Sequence, residues 1–240
     1  DPFARKRGDL DRLAVDAGRR LPDREVFLWT LEGHGEVVVK RARERWTPLH
    51  ASAGEIEHAN LRGLAGDGLP VPRALGYWCE RVTPLARRSL VVMERVDHAE
   101  TLREQLFHAG REERARWSAA LVALVVRMHA RGWYHRDLYL QHLVLHGDEL
   151  VLLDVGRARH ARAPRRRWLV KDLASLLHSA PRNVTSRERL AFLARYLDAR
   201  GIHVAAEGAF QFSKPEVVLH QTRTRPGLPA RRFRRRAEDV

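Results

Sequence analysis

Apolar residues of β-branched and aromatic type crowd Val26–Leu31 and again Glu36–Lys40, and Glu32-Gly33-His34-Gly35 lies between the two runs. Such β-rich runs around a glycine-containing turn predict a β-hairpin, followed by a basic loop. From Ala53 to Ala65 a helical period takes over. Ile56, Ala59, Leu61 and Leu64 recur with helical spacing, and Gly66, Gly68, Pro70 and Pro72 close the run. Two more strands are predicted near Arg73–Trp78 and Ser89–Glu94. Residues 1–96 therefore read as a small β-rich lobe with one helix.

Beyond Asp97 helical spacing dominates. Leu121, Leu124, Val125 and Met128 mark a core helix over Glu112–Arg131, stopped by Gly132. A short strand pair is predicted around Leu143–Leu145 and Leu150–Leu153, joined by Gly147-Asp148, with helices over Leu169–Ser179 and Ser186–Arg200. A β-rich lobe followed by a helical one is an α+β arrangement with its site expected in the cleft between them. One bilobal domain accounts for all 240 residues: residues 1–96, residues 97–222, and a basic tail over 223–240 that is arginine-rich from Arg223 to Arg236.

Composition narrows the function classes. Forty-four basic residues against thirty acidic ones give a net charge of +14, so anionic partners are expected: phosphates, nucleic acid or a charged membrane. A lone cysteine, Cys79, excludes a disulfide framework and a cysteine-rich zinc site, and points to a reducing compartment. The longest apolar run, Ala119–Val126, is far short of the ~20 residues needed to cross a bilayer. Neither a membrane span nor a secretory leader is expected. Nucleic acid is not expected as the partner, because no aromatic platform interleaves the arginines.

The basic residues are nearly all arginine; lysine occurs only at positions 6, 40, 171 and 214. A lysine inside a structured segment is then a candidate for work that wants a compact point charge rather than a guanidinium fork. Lys40 ends the run Val37-Val38-Val39, and Lys171 opens Lys171-Asp172-Leu173.

Three segments appear in a fixed order: Val37-Val38-Val39-Lys40, then His135-Arg136-Asp137-Leu138 after the core helix, then Asp154-Val155-Gly156 after a strand. Together they resemble the strand lysine, catalytic loop and metal-binding aspartate of the protein-kinase superfamily. The resemblance implies a bilobal protein-kinase-like fold and phosphoryl transfer, in which the protein positions and neutralises rather than forming covalent bonds. It assigns Lys40 to the phosphates of ATP and Asp137 to the attacking hydroxyl. Asp154 is assigned to Mg2+, a hard cation that prefers oxygen. A helix carboxylate should hold Lys40. Glu57 is preferred because Glu57, Leu61 and Leu64 share one helical face; Glu55 is the alternative. His135 and Arg136 are expected to support the loop. Met93-Glu94-Arg95-Val96 resembles the hinge, with the backbone at Glu94 and Val96 holding adenine.

The longer segment His135-Arg136-Asp137-Leu138-Tyr139-Leu140-Gln141-His142 carries His where ordinary protein kinases carry Asn. It is similar to the lipopolysaccharide core kinases, the Kdo/heptose kinase (WaaP-type) family. Two stretches agree with this: Glu57–Leu61 running on to Gly68-Leu69-Pro70-Val71-Pro72, and Arg167–Leu177 with its Lys171-Asp172-Leu173. The similarity covers roughly residues 25–200. It implies a sugar hydroxyl of the lipopolysaccharide inner core, heptose or Kdo, as acceptor. His142 becomes a candidate metal ligand or a hydrogen-bond partner of Asp137. Asp172 becomes a brace for the catalytic loop, placed in a helix N-terminal turn.

The chain departs from the family in using Asp154-Val155-Gly156, and from protein kinases in lacking a G-x-G-x-x-G loop before Lys40. Arg157, Arg159, Arg162, Arg165, Arg166 and Arg167 form a basic stretch matched to an anionic acceptor or an anionic membrane surface. A peripheral position on the cytoplasmic face of a Gram-negative inner membrane follows. Compact bacterial protein kinase and catalytically weak pseudokinase scaffold are the rival readings, and the sequence leaves any protein partner unidentified.

Overall fold

The computed structural model of the chain describes residues 20–21, 23–98 and 100–202. The Arg223–Arg236 tail and the last twenty residues of the 97–222 segment lie outside the described residues.

The first half builds an antiparallel sheet. Strands β1 (Arg20–Leu21), β2 (Arg24–Leu31), β3 (Gly35–Arg45), β4 (Ala74–Thr83) and β5 (Ala86–Glu94) lie in the order β1-β2-β3-β5-β4. The predicted hairpin is β2–β3, turning through Gly33 and Gly35, both at positive φ. No loop follows Lys40, contrary to expectation: β3 runs on to Arg45, paired with β2 on one side and β5 on the other. Arg41 is compatible with a strand because its charged head finds a carboxylate: its Nε donates to Glu25 at 2.9 Å. Strands β4 and β5 likewise extend past the predicted ends to form a long hairpin.

The period of two in β3 and β5 sorts the side chains. Val37, Val39, Leu90 and Val92 are buried together on one face, against Phe27, Trp29 and Trp78. Val91 and Met93 face the other side and join the main core with Leu61 and Leu64 of α1 (Ala53–Gly66). Burying each of these leucines contributes roughly 2 kcal/mol. Helix α1 starts at Ser52, which caps the Glu55 amide while the Glu55 side chain accepts from the Ser52 amide.

The second half is mainly helical: α2 (Leu102–His108), α3 (Arg111–Ala130), α4 (Arg166–Ser179) and α5 (Ser186–Ala199). Its short strands pair as β6 (Trp133–Tyr134) with β9 (Arg159–His160), and β7 (Leu143–His146) with β8 (Glu149–Leu152). One cluster of buried residues runs from Leu61, Val91 and Met93 through Leu121, Val125 and Met128 to Leu173, Phe192 and Tyr196. Sheet, α1 and helical part thus share a core. Among the described residues no helix is long and apolar enough to cross a membrane.

Two helix boundaries correct the prediction. Helix α2 was not anticipated, although Thr101 and Glu104 form a capping box at its start; seven residues are too few to display a helical period. Helix α4 begins at Arg166 rather than Leu169, so Asp172 stands two turns into the helix and not in its N-terminal turn.

Candidate active site

The site is assembled from three elements. Lys40 points from β3 to the same side as Val38, toward α1. There its ammonium lies 2.6 Å from Glu57 Oε1 and 3.1 Å from Asp154 Oδ1. Glu57, Asn60, Leu61 and Leu64 form the buried stripe of α1, so the spacing that packs the leucines also presents Glu57 to the sheet. Glu55 is spent on the helix cap and is not the partner. Burial pulls the Lys40 ammonium down, but Glu57 and Asp154 outweigh it and hold the group above its ordinary range. The lysine stays charged at any physiological pH. Burial pushes the Glu57 carboxyl up, with Lys40 pulling against it.

Asp154 follows β8 and adopts a left-handed conformation, φ 53° and ψ 52°, rare for a residue with a side chain. Its neighbours enforce this. The Leu153 amide donates to the His142 carbonyl at 2.8 Å, and His135 Nε2 donates to the Leu153 carbonyl at 3.2 Å. Beyond it, Asn60 Nδ2 donates to the carbonyls of Val155 and Ala158 at 2.8 and 3.0 Å, tying this turn to α1. Gly156 stands where a Cβ would come within 3.2 Å of Glu57 Oε2, so glycine leaves room for the carboxylate on Lys40. Burial pushes the Asp154 carboxyl up, yet Lys40 outweighs it and keeps it ionised.

The catalytic-loop segment is held from α4. Asp172 is fully buried and accepts from the amides of His135 and Arg136, both at 2.7 Å. It also lies 3.3 Å from His129 Nε2, while His129 Nδ1 meets the Tyr196 hydroxyl at 2.7 Å. These contacts secure the positive φ of 72° at Arg136, whose guanidinium lies 4.8 Å from the centre of the Trp168 ring. The backbone amides of His135 and Arg136 are thus tied to α4; the His135 side chain is fully buried, and desolvation pulls its ring toward the neutral form.

Asp137 leaves this loop with one-fifth of its side chain exposed. Arg157 Nη1 reaches both of its oxygens, at 3.2 and 2.9 Å, and Lys171 Nζ lies 3.6 Å from Oδ1. Sequence reasoning assigned Arg157 to a basic stretch matched to an anionic acceptor, and it named Lys171 without a role. Arg162, Arg165, Arg166 and Arg167 do remain exposed. His142 joins the two motifs: Nδ1 donates to the Asp137 carbonyl at 2.9 Å, and Nε2 lies 3.8 Å from Asp154 Oδ2.

A lysine held by one carboxylate, a second carboxylate on a strained turn and a third on a braced loop match the kinase arrangement in geometry as well as order. The lipopolysaccharide kinase (Kdo/WaaP) family model matches residues 32–196. The chain belongs to that family. It is 34% identical over 221 residues to the lipopolysaccharide core heptose(I) kinase WaaP of Pseudomonas aeruginosa, covering 82% of this chain and 80% of the relative. The 3-deoxy-D-manno-octulosonic acid kinase of Xylella fastidiosa is 27% identical over 143 residues, 59% of this chain and 55% of the relative. A solved structure of WaaP in complex with acyl carrier protein superposes with a TM-score of 0.62 at 26% identity, covering 84% of this chain and 85% of that one. The fold of this Kdo/WaaP-family chain is accordingly the protein-kinase-like one.

At the hinge segment the Glu94 amide donates to the Arg73 carbonyl at 2.9 Å and its side chain pairs with Arg73. The Val96 carbonyl likewise accepts from His98 Nδ1 at 2.8 Å. Among the described residues no three His, Cys, Asp or Glu side chains cluster as a metal cage. A separate cavity of about 220 Å3 opens among Leu106, Trp117, Leu121, Leu176 and Phe192; it lies between helices and contains none of the site carboxylates.

Proposed function

We propose that this chain transfers the terminal phosphoryl group of ATP to a hydroxyl of a lipopolysaccharide inner-core sugar, heptose or Kdo. Support comes from one observation above all: in a member of the Kdo/WaaP family, Lys40 lies within 3.1 Å of both Glu57 and Asp154, while His142 bonds the Asp137 carbonyl and stands 3.8 Å from Asp154. Lys40 binds phosphate oxygens and Glu57 keeps it in place. Asp137 orients the sugar hydroxyl and receives its proton. Backbone groups of the segment from Met93 to Val96 face the base.

The donor set fits a magnesium ion shared with the nucleotide. Mg2+ typically takes one or two protein carboxylates and completes its shell with phosphates and water, so the missing cage is no obstacle. Asp154 would hold it. His142 Nε2 lies 3.8 Å from Asp154 Oδ2, close enough to share the cation or its water with that carboxylate. When bound, the ion neutralises charge on the phosphates.

The exposed Arg162, Arg165, Arg166 and Arg167 are suited to an anionic acceptor presented at a membrane surface, which would place the enzyme peripherally on the cytoplasmic face of the inner membrane. Binding to lipopolysaccharide vesicles that is indifferent to salt would contradict this placement. An acyl carrier protein is the partner to test first, given the neighbouring WaaP complex.

The deciding experiment is transfer of labelled phosphate from ATP to lipopolysaccharide lacking core phosphate, with mass spectrometry of the sugar. Phosphate on heptose or Kdo is expected. Label found on protein hydroxyls and absent from sugar would replace this reading with that of a protein kinase.

A further inference from the structure

Lysine is scarce in this chain, and both lysines among the described residues, Lys40 and Lys171, sit on motif carboxylates. Lys40 has a role in the reading above; Lys171 has none. It projects from α4 one residue before Asp172, whose contacts with the amides of His135 and Arg136 fix α4 against the catalytic loop. The start of the Lys171 side chain is therefore set relative to Asp137. Its ammonium lies 3.6 Å from Asp137 Oδ1, outside hydrogen-bonding range, and shares that oxygen with Arg157 at 3.2 Å.

The two cations do different things. Arg157 Nη1 contacts both oxygens of Asp137 and holds the carboxylate as a unit. Lys171 makes no directional bond there, and its flexible stem lets a point charge travel a short way at little cost. The charges across the cleft are also unequal. Glu57 and Asp154 outnumber Lys40, leaving one side short of positive charge and suited to a cation. Arg157 and Lys171 outnumber Asp137, leaving the other side suited to an anion. From His135 to His142 the loop carries one Arg or Lys, Arg136, and its guanidinium is stacked on Trp168.

We infer that Lys171 is a further catalytic residue, whose ammonium moves from Asp137 onto the non-bridging oxygens of the terminal phosphoryl group of ATP during transfer. The inference rests on the ATP reading above. In the step, the acceptor oxygen bonds to the γ-phosphorus as the bond from phosphorus to the bridging oxygen breaks. The hydroxyl proton goes to Asp137, and ADP departs with the electron pair. Lys171 forms no covalent bond; it neutralises charge where the transition state carries it.

The test uses the full chain as wild type, Lys171→Ala and Lys171→Arg, with kcat and KM from sugar phosphorylation. Affinities for ADP and for a non-hydrolysable ATP analogue are measured with Mg2+ by calorimetry. Lys171→Ala is expected to lower kcat on the order of 100-fold. ADP affinity should hold, while the preference for the triphosphate analogue falls about tenfold, as for loss of a charge-assisted hydrogen bond. Lys171→Arg should recover most of that preference. Unchanged kcat and unchanged preference in Lys171→Ala overturn the inference. A fall in kcat with the preference intact also overturns it, because Lys171 would then act only by holding Asp137. If wild type fails to phosphorylate the sugar yet its triphosphate preference depends on Lys171, the sugar-kinase reading falls and the Lys171 contact stands.

Discussion

The Lys40 ammonium lies 2.6 Å from Glu57 Oε1, joining the third strand of the sheet to the first helix across seventeen residues. The pair is nearly buried at the carboxylate, and Asp154 adds a second anion on the same nitrogen. Removing the lysine alone strands two carboxylates; removing lysine and glutamate together strands only the more exposed one.

Lys40→Met should therefore abolish phosphoryl transfer and destabilise the fold by about 3 kcal/mol, the cost of an uncompensated buried charge. The double variant Lys40→Met, Glu57→Leu should regain much of that stability while remaining inactive. Thermal unfolding with a nucleotide-binding assay separates the two effects. A double variant less stable than Lys40→Met would show that the pair is not coupled.

Asp172 has no exposure and satisfies two loop amides and a histidine. Asp172→Ala leaves those donors buried without partners, so a loss of about 3 kcal/mol or more is expected, with activity lost as the Arg136 turn relaxes. Asp172→Asn, which keeps one acceptor oxygen, should fall between the two. A melting temperature for Asp172→Ala within a degree of wild type would contradict the brace.

Asp154→Ala should eliminate magnesium-dependent nucleotide binding, read by calorimetry with and without the metal. His142→Ala should raise the magnesium concentration needed for half-maximal activity by about tenfold, the usual scale for a group that orients a ligand. His142→Asn supplies an oxygen in roughly the same place and should narrow that gap. An unchanged magnesium requirement in His142→Ala would remove His142 from the metal site and leave it as the hydrogen-bond partner of Asp137.

Glu188 gives a pH-dependent test of the helical part. Burial pushes its carboxyl up, but Arg114 at 2.8 Å and the Thr185 cap outweigh this and draw it from 4.5 down to about 2. A depressed folded pKa means that its stabilisation is complete above the ordinary carboxylate value and is lost as pH falls toward the folded one. Glu188→Gln should cost about 1 kcal/mol at neutral pH. Its melting temperature should converge on that of wild type as the pH is lowered from 4.5 toward 2. A gap of constant size across that range would refute the assignment.

Much of the site was legible because local pattern and chemistry agreed. The alternation in Val37-Val38-Val39-Lys40 assigns Lys40 to one face of a strand, and the stripe Glu57, Leu61, Leu64 assigns Glu57 to the buried face of a helix. Strand ends were less legible: the basic run after Lys40 resembles a loop until Glu25 on the neighbouring strand supplies a partner for Arg41. Helix α2 fell below the length at which a period can be recognised.

By itself, the sequence determined the identity and order of the charged groups: a lysine on a strand, a carboxylate on a helix, and two aspartates in separate motifs. Periodicity acts over a few residues, so it settles which face a side chain occupies and nothing about what lies opposite. Only the tertiary structure decided that Arg157 and Lys171 converge on Asp137 and that the Glu94 amide is taken by Arg73. Each of these depends on partners distant in sequence or on hydrogen bonds claimed by folding, and such distances are set when separate elements pack on a common core.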